Sequence, residues 1–173
     1  NSFLAMKLSF INEVAGLCEL VGADVQQVAL GIGLDSRIGP KFLQAGFGFG
    51  GSCFPKDVSA LKFLSTQHKF DFKLVKALLD VNDRQKKWFF VKIKKYFSGR
   101  LSGKKIAVLG LAFKGNTDDV RESPSLDLVR RLQRAGARVV GFDPEANDNA
   151  RRELPNLKTV SSALEAVTGA EAV

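Results

Sequence analysis

Only one histidine and two cysteines, Cys18 and Cys53, occur among 173 residues, and the cysteines lie in unrelated contexts. A disulfide framework is therefore not expected, no metal site is expected, and a reducing, cytoplasmic compartment is the default reading. No apolar run approaches the roughly 20 residues of a membrane-spanning helix, so no membrane role is expected. The opening Asn-Ser-Phe-Leu-Ala-Met-Lys lacks the charged, apolar and small-residue zones of a signal peptide. Internal repeats and low-complexity tracts are also missing. His68 follows Gln67 at the end of a helical pattern and reads as a surface residue. Cys18, on an apolar helical face, reads as core.

What is present is an ordinary globular composition, 45% hydrophobic and 25% charged, enough for one large domain or two small ones. The net charge of +8 is uneven. Between Arg84 and Lys105 there are nine Lys or Arg and no acid. Three readings suit that run: phosphate contacts to nucleic acid, a solvated helix face, or an anionic small molecule, which needs far fewer cations.

Residues Asn1 to Val21 read as a helix, with Phe3, Leu4, Leu8, Ile11, Val14, Ala15, Cys18 and Val21 at helical spacing. A chain that begins inside such a helix is expected to be a piece of something longer. Gly22 and Asp24 end it and cap a short helix over Val25 to Leu30. A loop is expected from Gly31 to Ser52, with a helical turn over Lys41 to Gln44. Lys56 to Gln67 reads as helix with Val58, Leu61 and Leu64 inward. A helical pattern from Phe72 to Phe97, roughly 37 Å long at 1.5 Å per residue, suits a domain connector.

At Ser98 to Gly103 the period changes. Lys105 to Leu109 reads as a buried parallel strand, Ser123-Pro124-Ser125 as the start of a helix running to Arg134, and Arg138 to Phe142 as strand. A helix or loop over Asn147 to Glu153, a strand over Lys158 to Val160 and a helix over Ser161 to Val167 complete a β-α-β-α-β-α series. Ala170 to Val173 looks like the approach to another strand. The expected fold is α plus α/β: a helical segment over 1–98, then an incomplete Rossmann-like parallel domain over 99–173.

The densest chemistry lies in Gly-Phe-Gly-Phe-Gly-Gly-Ser-Cys-Phe-Pro-Lys-Asp, residues 46 to 57. Four of the six residues before Ser52 are glycine, which suits a backbone that passes close to something. Pro55 fits the first turn of a helix, which puts Cys53 at a helix N-terminus, where the positive end of the dipole favours a thiolate. Lys56 adds positive charge. Asp57 falls one turn after Cys53 on the same face, which suits a nucleophile and base pair; the plainer reading of the same residues is a small buried thiol after an ordinary glycine-rich loop. A second glycine motif, Gly110 to Gly115, tempts one toward a dinucleotide fingerprint, with Asp143 as the ribose acid. Ala112 replaces the middle glycine and about ten residues separate strand from helix, so the turn is read as Rossmann-like without that function.

Four stretches together resemble the UDP-glucose/GDP-mannose dehydrogenase family: Asn1 to Ala5 with Phe10 to Glu13, Asp35 to Leu43, Gly46 to Asp57, and Leu111 to Pro124. Arg37-Ile38-Gly39, and Ser52 with Phe54 to Asp57, favour UDP-glucose over GDP-mannose or a UDP-N-acetylhexosamine. The resemblance implies two successive NAD⁺-dependent oxidations of the sugar C6 alcohol to UDP-glucuronate, through a Cys53 thiohemiacetal and thioester. It gives Asp57 a part in water activation and Asn1 a hold on the reacting oxygen. Phe42, Leu43, Gln44, Ala45 and Gly46 would line the uridine side, with Phe49 and Gly50 toward glucosyl and phosphate. Phe113 and Lys114 would touch substrate, and Lys56 and Arg121 the cofactor. Arg37 would reach a neighbouring subunit's site. The long basic helix resembles the family's domain-linking dimer helix, which leaves no need for nucleic acid. The resemblance also implies that the family's catalytic lysine, its NAD-binding domain and the end of its last domain lie outside this sequence. A fragment of that kind is expected to be inactive alone, or only a dimerising nucleotide-sugar-binding module.

Overall fold

The computed structural model describes residues 1–173 and contains seven helices and three strands. Its residues group into two compact units. Unit 1 is Asn1–Phe49 with Cys53–Gln85, and unit 2 is Gly50–Ser52 with Lys86–Val173.

Unit 1 is helical. α1, Ser2–Val21, ends at Gly22, whose φ of 72° is the left-handed cap that glycine accepts without strain. Asp24 accepts the Gln26 N–H and starts α2, Val25–Gly33. α2 runs past the expected stop at Leu30. Gly33 serves a close approach there, since a Cβ on it would lie 2.9 Å from Pro40 Cα. The helical turn expected over Lys41 to Gln44 is not formed, because Phe42 has a φ of 63°, which breaks any right-handed turn. α3, Cys53–Gln67, begins three residues before the expected Lys56. α4, Lys73–Tyr96, follows, and its residues from Lys86 onward belong to unit 2.

The unit 1 core joins Ala5, Phe49, Val58, Val75 and Leu78, with Met6, Leu8 and Phe54 packed against them. Each fully buried large side chain here contributes about 1.5–3 kcal/mol. Two periodicity readings are corrected. On α1 the buried set is Ala5, Ser9, Ile11, Asn12 and Cys18, while Phe3 and Val21 are largely exposed. On α3 Val58 is buried but Leu64 is exposed. A helix that is apolar around much of its girth does not reveal by spacing alone which stripe turns inward.

Unit 2 is a small parallel α/β layer structure. β1, Lys105–Leu109, pairs in parallel with β2, Arg138–Phe142, which pairs in parallel with β3, Lys158–Thr159. The expected further strand makes its start: Ala172 bridges Ile106 in parallel on the other side of β1. Alternation along the strands loads both faces. Ile106, Val108 and Val139 join Leu126, Val129 and Leu132 of α5, Pro124–Arg134, together with Phe90, Ile93 and Phe97. Ala107 and Val140 face the opposite way with Val160 and Ala166, the latter on α7, Ala163–Val167. α6, Asn147–Glu153, is helical. Ser123 caps α5 by accepting the Leu126 N–H, with Pro124 in the first helical position. No helix is long and apolar enough to cross a membrane.

Candidate functional site

Cys53 is the first residue of α3 and is exposed, Cys18 is buried, and neither forms a disulfide. Asp57 follows one turn later. The structure brings Asn1, from the start of α1, to the same carboxylate: its Nδ2 donates to Asp57 Oδ2 at 2.5 Å. Lys56 Nζ lies 3.2 Å from Asp57 Oδ1. The Asn1 hydrogen bond and then Lys56 hold the Asp57 carboxyl below the usual carboxylate range, against a smaller opposing effect of desolvation. At neutral pH Asp57 is therefore an anion that orients the Asn1 carboxamide and the Lys56 ammonium.

The glycine-rich segment is fastened from behind by Asn82 and Gln85, which sequence reasoning passed over, and by Asn12 of the Phe10 to Glu13 stretch. Asn82, buried on α4, accepts the Phe49 N–H at 2.7 Å and donates to the Phe49 carbonyl at 3.2 Å. Asn12 on α1 accepts the Gly46 N–H at 2.9 Å, and Gln85 donates to the Gly46 carbonyl at 2.7 Å. A Cβ on Gly48 would stand 2.7 Å from Asn82 Oδ1, so the approach is as close as glycine permits. The available signal was a polar residue at a core position of an amphipathic helix, which in a packed core must have a partner.

The candidate substrate residues of unit 1 divide accordingly. Leu43 and Phe49 are buried, and the Phe49 ring makes an edge contact with Phe54 at 5.9 Å. The Phe49 side chain and N–H are thus engaged in the unit's own packing. Gln44, Ala45 and Gly46 are exposed, and Phe42 is half-buried with its ring 5.9 Å from that of Phe54. Arg37 is folded onto Asp35, which accepts its backbone N–H, its Nε–H and its Nη2–H. That fork holds Asp35 below the usual carboxylate range.

Unit 2 contains a second such fork. Asp119 accepts the backbone N–H, Nε–H and Nη2–H of Arg121, and its carboxyl is held low chiefly by that arginine. An open cleft of about 610 Å³ is lined by Thr117, Asp118, Asp119, Arg121, Asn149 and Arg152. Lys114 is exposed, its Nζ 5.3 Å from the Phe113 ring centre. Gly50, Gly51 and Ser52 pack in this unit. The Gly51 N–H donates to the Arg121 carbonyl at 2.9 Å, and a Cβ on Gly51 would meet the Phe113 ring at 2.6 Å.

The turn after β1 is filled from within. Asp143, at the end of β2, is buried, and its Oδ2 accepts the Leu111 and Ala112 N–H groups at 2.8 and 3.0 Å. Its Oδ1 accepts the Glu145 and Ala146 N–H groups, each at 2.9 Å. Burial pushes the Asp143 carboxyl up, and the four donors together outweigh it and hold the group low. A carboxylate thus occupies the backbone N–H groups that a dinucleotide's pyrophosphate would need in this turn. Asp143 has no oxygen left for a ribose, and the Gly110 to Gly115 motif does not fit a dinucleotide cradle. Lys56 and Arg121 remain as cations suited to phosphate contacts.

Two segments of one family match the chain in order. The UDP-glucose/GDP-mannose dehydrogenase family, central domain, matches residues 1–84, and the same family's UDP binding domain matches residues 107–173. The UDP-glucose 6-dehydrogenase of Rhizobium meliloti (strain 1021) is 53% identical over 173 residues, 100% of this chain and 40% of that protein. UDP-glucose 6-dehydrogenase TuaD of Bacillus subtilis (strain 168) is 53% identical over 146 residues, 84% of this chain and 32% of that protein. A UDP-glucose dehydrogenase structure from the hyperthermophilic archaeon Pyrobaculum islandicum superposes with a TM-score of 0.93 at 41% identity, covering 99% of this chain and 40% of that one. The chain spans 40% or less of the length of these relatives. With the central and UDP-binding segments matched in order along one chain, the protein belongs to the UDP-glucose/GDP-mannose dehydrogenase family.

Proposed function

We propose that a full-length protein carrying this chain is an NAD-dependent UDP-glucose 6-dehydrogenase that works in the cytoplasm. The observation that carries the reading is the Cys53–Asp57–Asn1 group at the start of α3, in a chain 53% identical to a UDP-glucose 6-dehydrogenase. Residues 1–98 supply the nucleophile and the oligomer contact, and residues 99–173 help hold the nucleotide sugar. The Cys53 sulfur adds to the C6 aldehyde carbon, and the resulting thiohemiacetal is held on the protein until it is oxidised to a thioester. Water then cleaves the thioester, with the ionised Asp57 accepting a hydrogen bond from it and Asn1 donating to the C6 oxygen. NAD⁺, when bound, accepts the hydride of each oxidation. Lys56 and Arg121 are assigned contacts to its phosphates, while the main dinucleotide cradle is assigned to chain outside these residues. Lys114 and Phe113 are assigned to the sugar nucleotide, with Gln44, Ala45, Gly46 and Phe42 on its uridine side and Gly50 giving close backbone approach. The buried Leu43 and Phe49 back that wall. Turnover of UDP-glucose by the full-length protein should yield two NADH per UDP-glucuronate, measured by absorbance and product analysis. A GDP-mannose or UDP-N-acetylhexosamine preference would overturn the substrate assignment.

The same reading includes a homo-oligomer, and the exposed apolar residues of unit 1 favour α1 as its seam. Phe3, Phe10 and Leu17, seven residues apart, are 67%, 53% and 60% exposed. That heptad stripe is what a second helix covers. The later half of α4, which the resemblance makes the dimer helix, is the rival seam: it presents Trp88, Val91 and Tyr96, 40%, 52% and 76% exposed, among Lys87, Lys92, Lys94 and Lys95. Phe10→Glu with Leu17→Glu should convert a dimer to monomer in light scattering, and an unchanged mass would move the seam elsewhere.

A further inference from the structure

The Asp35 to Pro40 loop is more firmly built than an exposed turn requires. Asp35 uses both ends: its carbonyl accepts the Ile38 and Gly39 N–H groups at 2.9 and 2.8 Å, and its carboxylate takes Arg37. The fork is side-on. Nε–H reaches Oδ1 at 3.0 Å and Nη2–H reaches Oδ2 at 2.6 Å. A guanidinium has five N–H donors in a rigid plane, so fixing that edge aims the opposite Nη edge outward. The Arg37 side chain is 87% exposed, so that edge faces solvent. From another element, Lys7 on α1 donates its ammonium to the Ile38 and Gly39 carbonyls at 2.9 and 3.3 Å. Gly33 and Pro40 meet at the base of the loop.

We infer that Asp35 and Lys7 are positioning residues for Arg37, which together present its outer Nη edge to a phosphate of a nucleotide sugar bound by a second copy of the chain. The inference rests on the reading of Arg37 as a contact made in trans. Left on its own, an exposed arginine samples many rotamers, and ordering it on binding opposes affinity. Asp35 removes that ordering before the ligand arrives, and Lys7 removes the corresponding freedom of the backbone. An ion pair of purely local purpose would contribute little and would leave binding unaffected.

Steady-state kinetics of the full-length protein separate these cases. Arg37→Ala should raise KM for UDP-glucose by about 100-fold, through loss of a charge-assisted phosphate contact. Asp35→Asn keeps an oxygen for the Arg37 backbone N–H but cannot hold the fork, so KM should rise about 3- to 10-fold, with the effect on KM rather than kcat. In the Arg37→Ala background Asp35→Asn should add nothing, because no arginine remains to be aimed. Lys7→Met should raise KM a few-fold, about 3-fold, and Lys7→Arg should restore it. If Arg37→Ala leaves KM unchanged, the contact in trans is wrong and the inference falls with it. If Arg37→Ala raises KM but Asp35→Asn does not, or the two effects multiply, the contact stands and the positioning role is overturned.

Discussion

Replacing Cys53 with alanine in the full-length protein is expected to abolish UDP-glucuronate formation, a loss of about 10³-fold or more, as for removal of a covalent nucleophile. The thiol is required at one stage: it converts an aldehyde, which has no good route to lose hydride, into a tetrahedral adduct that does. The first oxidation needs no sulfur. The variant should therefore retain substrate binding while NADH per sugar falls from two to at most one. Cys53→Ser should fall between the two, since a hydroxyl is a far weaker nucleophile than a thiolate. The test is product analysis by mass together with NADH yield. Retained carboxylate formation at two NADH per sugar would remove Cys53 from the chemistry and leave Asp57 and Asn1 to be explained otherwise.

The second large effect concerns stability. Asp143→Ala should destabilise unit 2 by about 3 kcal/mol, because four N–H groups lose their acceptor together and each orphaned buried group costs about 1–3 kcal/mol before water relieves it. Asp143→Asn should recover part of this, since its amide keeps one acceptor oxygen and sets an N–H₂ against donors. The pH dependence has a definite sign. Burial raises the folded-state pKa of Asp143, the four backbone donors lower it by more, and the net value is depressed. The contribution is therefore fully present above the unfolded value of about 3.9 and is lost as pH falls through the folded one. Asp119, Asp57, Asp35 and Glu171 are also depressed, so acid weakens the chain through several groups. The difference between wild type and Asp143→Asn isolates one of them: it should shrink from pH 7 to pH 3. Denaturant titration followed by Trp88, the chain's one tryptophan and a residue of unit 2, measures it. An Asp143→Ala protein as stable as wild type at pH 7 would show that the N–H groups find other partners without loss.

Much of this was legible in the residues. The change from helical to strand period placed β1, α5 and β2, because Ile106 to Leu109 and Val139 to Phe142 are short apolar runs, each after a basic residue and closed by turn residues. Cys53 and Asp57 are four apart on one helix, so local geometry alone sets their spacing. Other features depend on partners that sequence distance hides. Asn82 lies 33 positions from Phe49, and Asp143 lies 32 from Leu111. A polar side chain in a buried stripe, as Asn82 is on α4, announces that it has a partner, but which one stays hidden until the element across from it is known. Phe42 was opaque for another reason: nothing in a bulky aromatic announces a positive φ. The inward face of α1 was opaque because both of its faces are apolar.

Gly50 and Gly51 have different evolutionary prospects. A methyl group at 51 meets the Phe113 ring at 2.6 Å, an obstacle that a smaller residue at 113 would remove, although the φ of 80° would still strain it. A methyl group at 50 meets the Glu122 carbonyl oxygen at 2.1 Å. That obstacle is main chain, which every amino acid carries, so no compensating substitution elsewhere can open the space. Position 51 can drift in company with position 113; position 50 can change only if the path of the chain at 122 changes with it.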